Sequence, residues 1–152
     1  MNDVRLQIGE VGEITGIRLP TLHRWLDRRV FQPSPAEIGA GTGNYRTFGR
    51  ARLNQIAIAK ALIEIGLPAA QSNANARLFT EQSQRGRNAN EPFEAGRTLL
   101  KISKTGAEII SAPFDALLTE VCDKDGAFVI DIAPIIADVN QKLSQLTKRK
   151  LK

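Results

Sequence analysis

The stretch of residues 8–29 carries the strongest indication of the fold and reads IGEVGEITGIRLPTLHRWLDRR. The apolar residues of its first part are spaced three apart: Ile8, Val11 and Ile14. This spacing predicts a short amphipathic helix over about 7–16, and Gly16 is a residue type that commonly ends a helix. A second helix is predicted over about 20–29, because its first residue is a proline, which suits a first helical turn. Two short helices joined by a tight glycine-containing turn predict a helix-turn-helix unit.

The second predicted helix has two different faces. Its inward stripe is apolar and comprises Leu22, Trp25 and Leu26. Polar side chains share another face: Thr21, Arg24 and Arg28. The spacing of Trp25 with the two leucines makes it a core residue rather than a platform for stacking nucleic acid bases.

A wing and two more helices are predicted after this unit. The glycine-rich residues 39–44 run into an alternating stretch over 45–48, which together indicate a hairpin that ends in a short strand. A strongly apolar helix is predicted from about 50 to 65, with Gly66 as its C-terminal cap, and a weaker helix follows over about 69–79.

The remaining chain changes in character. Residues 81–96 are almost wholly polar and are predicted to be a linker. Beyond them the pattern predicts a ββαβα lobe over 97–152, with a three-residue hairpin turn at 104–106, a helix over 113–122 and a last helix that begins at Pro134. The fold class is therefore α+β, with an N-terminal winged helix-turn-helix over 1–80, which is mostly α with a small β wing, and a small C-terminal lobe.

The charge of the chain is concentrated in its first half. The 152 residues have a net charge of +5 at pH 7. The segment Arg18 to Arg52 holds seven arginines, no lysine and two acids, Asp27 and Glu37, and so also has a net charge of +5. Guanidinium groups are the planar, forked donors that suit phosphates and base edges.

Composition excludes several classes of protein. No apolar run reaches the ~18 residues that a transmembrane helix needs, and the first residues lack the pattern of a signal peptide. The single Cys122 cannot form an internal disulfide and is expected to be a packed thiol in a cytoplasmic protein. With one His and one Cys, and no nucleophile–base pair, we expect no metal site, no cofactor and no enzyme activity.

Residues 1–80 resemble the MerR-type winged helix-turn-helix domain. Four stretches carry this resemblance, in the family's order: Ile8-Gly9-Glu10-Val11-Gly12 with Thr15-Gly16-Ile17, Thr21-Leu22-His23-Arg24-Trp25, Asn44-Tyr45-Arg46-Thr47-Phe48, and Glu64-Ile65-Gly66-Leu67-Pro68. The chain departs from the family where His23 and Arg24 replace the usual Arg-Tyr pair. The family's long dimerising coiled coil is also not evident after the DNA-binding half.

The resemblance implies that the second helix enters the major groove of duplex DNA and that the wing touches the backbone. Three side chains are expected nearest the base edges: Thr21, His23 and Arg24. Three arginines are expected to contact phosphates: Arg18, Arg28 and Arg46. Tyr45 is assigned to the DNA-binding set beside Arg46 on the wing.

These patterns predict a sequence-specific DNA-binding protein, most simply a bacterial or phage transcriptional regulator that acts as a homodimer in the nucleoid. The alternative is an accessory DNA-binding factor, of the excisionase or segregation-adaptor kind, which bends DNA and recruits a protein through the C-terminal lobe. A ligand-sensing regulator is disfavoured, because that lobe has no His, Trp or Tyr to line a pocket.

The last predicted helix has two possible roles. Its apolar residues follow a three-four-three spacing and could form a dimer seam or cover the lobe's own sheet: Ile136, Val139, Leu143 and Leu146. The basic residues from Lys148 onward could add non-specific affinity for DNA or form a frayed end.

Overall fold

The computed structural model describes residues 4–31, 47–117 and 127–152. The helices are α1 (Ile8–Thr15), α2 (Leu19–Asp27), α3 (Arg50–Glu64), α4 (Ala69–Glu81) and α5 (Ile132–Lys150). The strands are β1 (Arg97–Ser103), β2 (Gly106–Ala112) and β3 (Phe128–Asp131). Helices and a small antiparallel sheet coexist in one chain, which confirms the predicted α+β class.

The helix-turn-helix is closed by a short backbone bridge that brings Leu6 and Phe48 together. The amide of Leu6 donates to the carbonyl of Phe48 at 3.0 Å, and the amide of Phe48 donates back at 2.8 Å. Both side chains are buried, so this bridge joins the start of α1 to the start of α3 inside the core. The predicted wing hairpin over 39–44 lies outside the described residues.

α3 is the centre of the molecule. Every residue from Leu53 to Ala59 is buried, including two amides, Asn54 and Gln55. A helix that is buried on all faces must be covered from several directions, and α1, α4 and α5 all pack against it. The turn after it ends at Gly66, whose φ of 105° lies in the left-handed region that glycine adopts without strain.

The sheet has the order β2-β1-β3, and both pairings are antiparallel. Lys101 of β1 lies opposite Glu108 of β2 and Val129 of β3. The hairpin is tighter than predicted: its loop is the two residues 104–105, because Gly106 already pairs with Ser103 as the first residue of β2.

Two other predictions for the C-terminal lobe were wrong in detail. The last helix begins at Ile132 rather than Pro134, since the Asp131 carboxylate accepts the amide of Ala133 at 3.2 Å and caps the helix. Pro134 then falls in the first turn, where its missing amide costs nothing. Residues 113–117 form a turn instead of the start of a helix, and residues 118–122, with Cys122, lie outside the described residues.

The apolar face of α5 is buried within its own chain. Its four apolar residues are between 1% and 7% exposed: Ile136, Val139, Leu143 and Leu146. They join one apolar cluster with residues of the helix-turn-helix, and α5 packs against α1, α3 and β1. Of the two roles that the spacing left open, the structure shows these side chains in the intramolecular one, where they cover the core of their own chain.

The polar segment between α4 and β1 is organised around one buried arginine. Arg87 is 4% exposed and has no carboxylate partner in the described parts of the chain. Its guanidinium donates to five backbone carbonyls and one side-chain amide at 2.6–3.2 Å: those of Leu78, Phe79, Gln82, Asn88 and Glu91, and Gln84 Oε1. Burial lowers the pKa of the Arg87 guanidinium.

Arg87 acts as a C-terminal cap for α4. Three of its acceptors are carbonyls in the last turn of that helix or just beyond it, where carbonyls lack intrahelical partners and carry partial negative charge. The rings of Phe79 and Phe93 lie 5.1 and 6.0 Å from its guanidinium carbon. The cap therefore holds the start of the polar segment against α4.

Truncation of α5 should destabilise the chain as a core mutation does. We expect Leu143→Ala to lower the free energy of unfolding by ~2–4 kcal/mol, because it leaves a cavity between α5 and the other helices. The exposed Gln145→Ala on the same helix should change it by less than ~0.5 kcal/mol. Urea unfolding measures both, and a loss for Leu143→Ala that depends on protein concentration would contradict intramolecular burial.

Arg87 should tolerate no conservative replacement. We expect Arg87→Lys to cost at least ~2–3 kcal/mol of unfolding free energy, because one ammonium cannot reach six acceptors and buried carbonyls without a donor cost ~1–3 kcal/mol each. The neighbouring exposed Arg85→Lys is the control and should be neutral. Equal stability of the two variants, measured by urea unfolding, would show that the Arg87 cap contributes nothing.

Candidate nucleic-acid interface

The turn between α1 and α2 is compact because of two glycines. A Cβ on Gly12 would lie 3.0 Å from the carbonyl oxygen of Ile17, which is closer than side chains normally approach a backbone. Gly16 ends α1 with a φ of 71°, and its amide donates to the carbonyl of Gly12 at 2.9 Å. Thr15 is buried and donates its hydroxyl to the carbonyl of Val11 at 2.7 Å. These contacts set the position at which α2 starts.

α2 buries one face and leaves the other in solvent. Leu22 and Leu26 are 2% and 8% exposed, while Trp25 is half-buried with its ring centroid 5.4 Å from that of Phe31. The helix begins at Leu19, one residue before the predicted start, and Pro20 lies in its first turn. The leucines anchor the helix, so its polar face has a defined orientation.

The structure brings together the residues predicted on this polar face. Arg18 is the N-cap residue of α2 and is exposed, Thr21 is half-exposed, and three others are exposed: His23, Arg24 and Arg28. None of the three arginines forms an ion pair with any residue in 4–31, 47–117 or 127–152. Tyr45 and Arg46 of the predicted wing lie outside those ranges. The exposed face of α2 thus presents unpaired guanidinium groups beside a hydroxyl and an imidazole.

Three arginines that the sequence analysis did not assign lie next to Arg28. Together they line a groove of about 510 Å³ between the end of α2, the start of α3 and α4: Arg29, Arg52 and Arg77. Arg29 and Arg52 belong to the arginine-rich segment Arg18 to Arg52, and this clustering in the sequence could have predicted their place in a basic surface. Arg77 has no such signal, because only the packing of α4 brings it to this groove.

The basic end of α5 lies against α1 rather than extending freely. Arg149 forms an ion pair with Glu13, and Lys150 forms one with Glu10. The Glu10 carboxylate also accepts the amide of Gln7 at 2.8 Å, so it caps α1 as well. Burial raises the pKa of Glu10, but hydrogen bonds from Lys150 and Gln7 and the charge of Lys150 lower it more, and the net pKa lies below its usual value.

These contacts make the attachment of α5 to α1 sensitive to acid. Because the pKa of Glu10 is lowered by folding, its contribution to stability is present above the usual pKa of 4.5 and is lost as the pH falls through the lower folded value. We expect Glu10→Gln to remove this part of the pH dependence and to cost less than ~1 kcal/mol at pH 7, since the pair is screened by solvent. Urea unfolding from pH 7 to pH 3 measures it, with the exposed Glu108→Gln as control. Identical pH profiles for the two variants would contradict the assignment.

Comparison with known families agrees with this geometry. Residues 6–74 match the family described as "MerR HTH family regulatory protein". The match begins at the Leu6 bridge, includes both helices of the helix-turn-helix and α3, and ends within α4. The chain has no match among curated proteins.

The N-terminal part of this chain is therefore a MerR-type helix-turn-helix domain, the DNA-binding domain of a class of transcription regulators. The matched description names a regulatory protein and no enzyme. Within the part of the chain that the structure describes, no helix is long and apolar enough to cross a membrane. The same part holds no group of three or more His, Cys, Asp or Glu residues that could bind a metal ion.

Proposed function

We propose that this protein is a sequence-specific transcriptional regulator that binds duplex DNA as a homodimer in the cytoplasm. The observation that carries the proposal is the polar face of α2, where Arg18, Arg24 and Arg28 form no ion pair with any described residue and buried leucines anchor the helix. An α-helix fits the major groove, where arginine and polar side chains can donate to base edges. The family match of residues 6–74 supports the same reading.

Within this proposal the residues of α2 divide into two roles. Thr21, His23 and Arg24 contact base edges, because they lie in the middle of the exposed face. Arg18 and Arg28 lie at the two ends of the helix and contact phosphates on either side of the groove. Arg46 and Tyr45 add contacts from the wing.

A homodimer is proposed because one short helix reads only a few base pairs. α2 has nine residues, and two copies related by a two-fold axis would double the length of DNA that is read. Since the apolar face of α5 is covered within the chain, the two copies would meet through another surface. Selection of bound duplexes from a random pool should return a symmetric consensus bound by two chains, and an asymmetric consensus bound by one chain would contradict the dimer.

Arg24 is the residue whose loss should affect recognition most. We expect Arg24→Ala to lower affinity for the selected site by ~1–3 kcal/mol and to leave affinity for random duplex nearly unchanged. Arg46→Ala should instead weaken binding to both duplexes alike, and the exposed Arg85→Ala, away from α2, is the control. Fluorescence anisotropy with the two duplexes measures all three variants. Unchanged specific binding by Arg24→Ala would refute its assignment to the bases.

A second candidate is an accessory factor that bends DNA and recruits a partner protein. It is favoured by the covered face of α5, because a helix that completes its own core is not the long free helix by which two copies would join. Fluorescence transfer across the selected duplex separates the two functions. Strong shortening of the end-to-end distance by a single bound chain would favour the accessory factor.

A further inference from the structure

α2 ends in a turn that normally requires glycine. The amide of Val30 donates to the carbonyl of Trp25 at 2.9 Å, and the amide of Arg29 donates to that of Leu26 at 3.1 Å. These two hydrogen bonds define a Schellman turn, in which the residue after the C-cap, here Arg28, adopts the left-handed conformation. That residue is Arg29, with a φ of 55°.

At the ends of α1 and α3, the chain uses glycine for the same conformation. After α3, Gly66 has a φ of 105°, with its amide donating to Ile63 and that of Leu67 donating to Leu62. After α1, the left-handed residue is Gly16. A side chain in this conformation costs free energy that glycine avoids. The turn therefore does not explain why an arginine stands at position 29 instead of a glycine. We look for the reason in the surroundings of its side chain.

The Arg29 side chain lines the groove between the end of α2, the start of α3 and α4, which we call the arginine groove and which has an excess of positive charge. Among the residues that the structure describes, four arginines and one carboxylate, that of Glu81, line this groove. The Nε and Nη2 atoms of Arg77 donate to Glu81 at 2.8 and 2.9 Å, and this hydrogen bonding, with the charges of Arg77 and Arg52, lowers the pKa of Glu81. With Glu81 ionised, the described residues that line the groove have a formal net charge of +3.

Two of these guanidinium groups are available for a ligand. Arg28 and Arg29 are exposed and form no ion pair with any residue that the structure describes. The floor beneath them is held by buried and half-buried amides. Gln55 donates to Asn73, and Asn73 donates to the carbonyl of Val30, so α3, α4 and the end of α2 are tied together. The groove therefore presents its charge on a rigid support.

We propose that this groove binds a phosphate group of the DNA backbone beside the base pairs that α2 contacts, with Arg28 and Arg29 as its principal donors. The proposal rests on the proposed function and names a further part of the same interface. Guanidinium groups bind phosphate through paired hydrogen bonds. Arg28 belongs both to the exposed face of α2 and to the wall of the groove, so the positive surface is continuous from the helix into the groove.

Two substitutions of Arg29 separate this role from a structural one. Arg29→Gly suits the backbone conformation better, so its thermal midpoint should equal or exceed that of the unsubstituted chain. Arg29→Gln keeps a side chain in the turn and removes only the charge. Both should weaken binding to specific and random duplexes by the same factor, and both should reduce the slope of log affinity against log salt by about one.

The control is Arg85→Gln, which removes one exposed arginine charge from the turn between Gln84 and Arg87, outside the groove. Its salt slope should stay within error of that of the full chain. Slopes for both Arg29 variants equal to that of the unsubstituted chain would overturn the inference. If Arg24→Ala still lowers affinity for the selected site in that case, the proposed function stands without this inference. Failure of the unsubstituted chain to bind any duplex would overturn both.

A second arm distinguishes backbone phosphate from a small phosphorylated ligand. Pyrophosphate at millimolar concentration is added to the full chain without DNA, and the thermal midpoint is measured for the full chain and for Arg29→Gln. If pyrophosphate causes no midpoint shift that depends on Arg29, this result supports the DNA backbone as the source of the phosphate. A shift that Arg29→Gln abolishes, with unchanged salt slopes for DNA, would overturn the proposal in favour of a small ligand.

Discussion

The structure depends on the burial of the middle of α3 on all sides. Seven consecutive residues, Leu53 to Ala59, are removed from solvent, and a helix in that position must be enclosed by other elements. α1, α4 and α5 supply the cover. Because α5 belongs to the C-terminal part of the chain, the helix-turn-helix and the sheet are joined through one apolar cluster. This core also positions α2, because α2 packs on α1 and the side chain of Asn73 on α4 donates to the carbonyl of Val30 just after α2.

Two polar devices connect this core to the rest of the chain. Arg87 gives the carbonyls at the end of α4 the donors that they lack, and so converts a polar stretch into a folded connection to β1. The second device joins the two ends of the chain. The carboxylate of Glu10 accepts the amide of Gln7, which precedes α1, and pairs with the ammonium of Lys150. Each device uses charge at a helix end, where the backbone leaves hydrogen-bonding groups unsatisfied.

Predictability from the sequence differed between local and non-local features. The two helices of the helix-turn-helix were predicted within one or two residues, because Gly16, Pro20 and the spacing of Leu22 and Leu26 act over a single turn. The exposed position of Arg24 followed from the same periodicity, while His23 was assigned from the family resemblance. The start of α5 was misplaced, since Asp131 rather than Pro134 provides the cap. The polar residues 81–96 gave no sign that Arg87 would be buried, as its acceptors are backbone carbonyls that carry no sequence signal.

Side-chain spacing over a few turns was enough to predict the class of fold, the helix-turn-helix and the polar residues on the outer face of α2. The packing of distant elements was needed to show that α5 completes its own chain's core, that its basic end pairs with α1, and that Arg77 joins Arg28 and Arg29 around one groove. These features join residues tens of positions apart in the chain. Their positions are set by how helices pack around α3, which no local pattern of residues encodes.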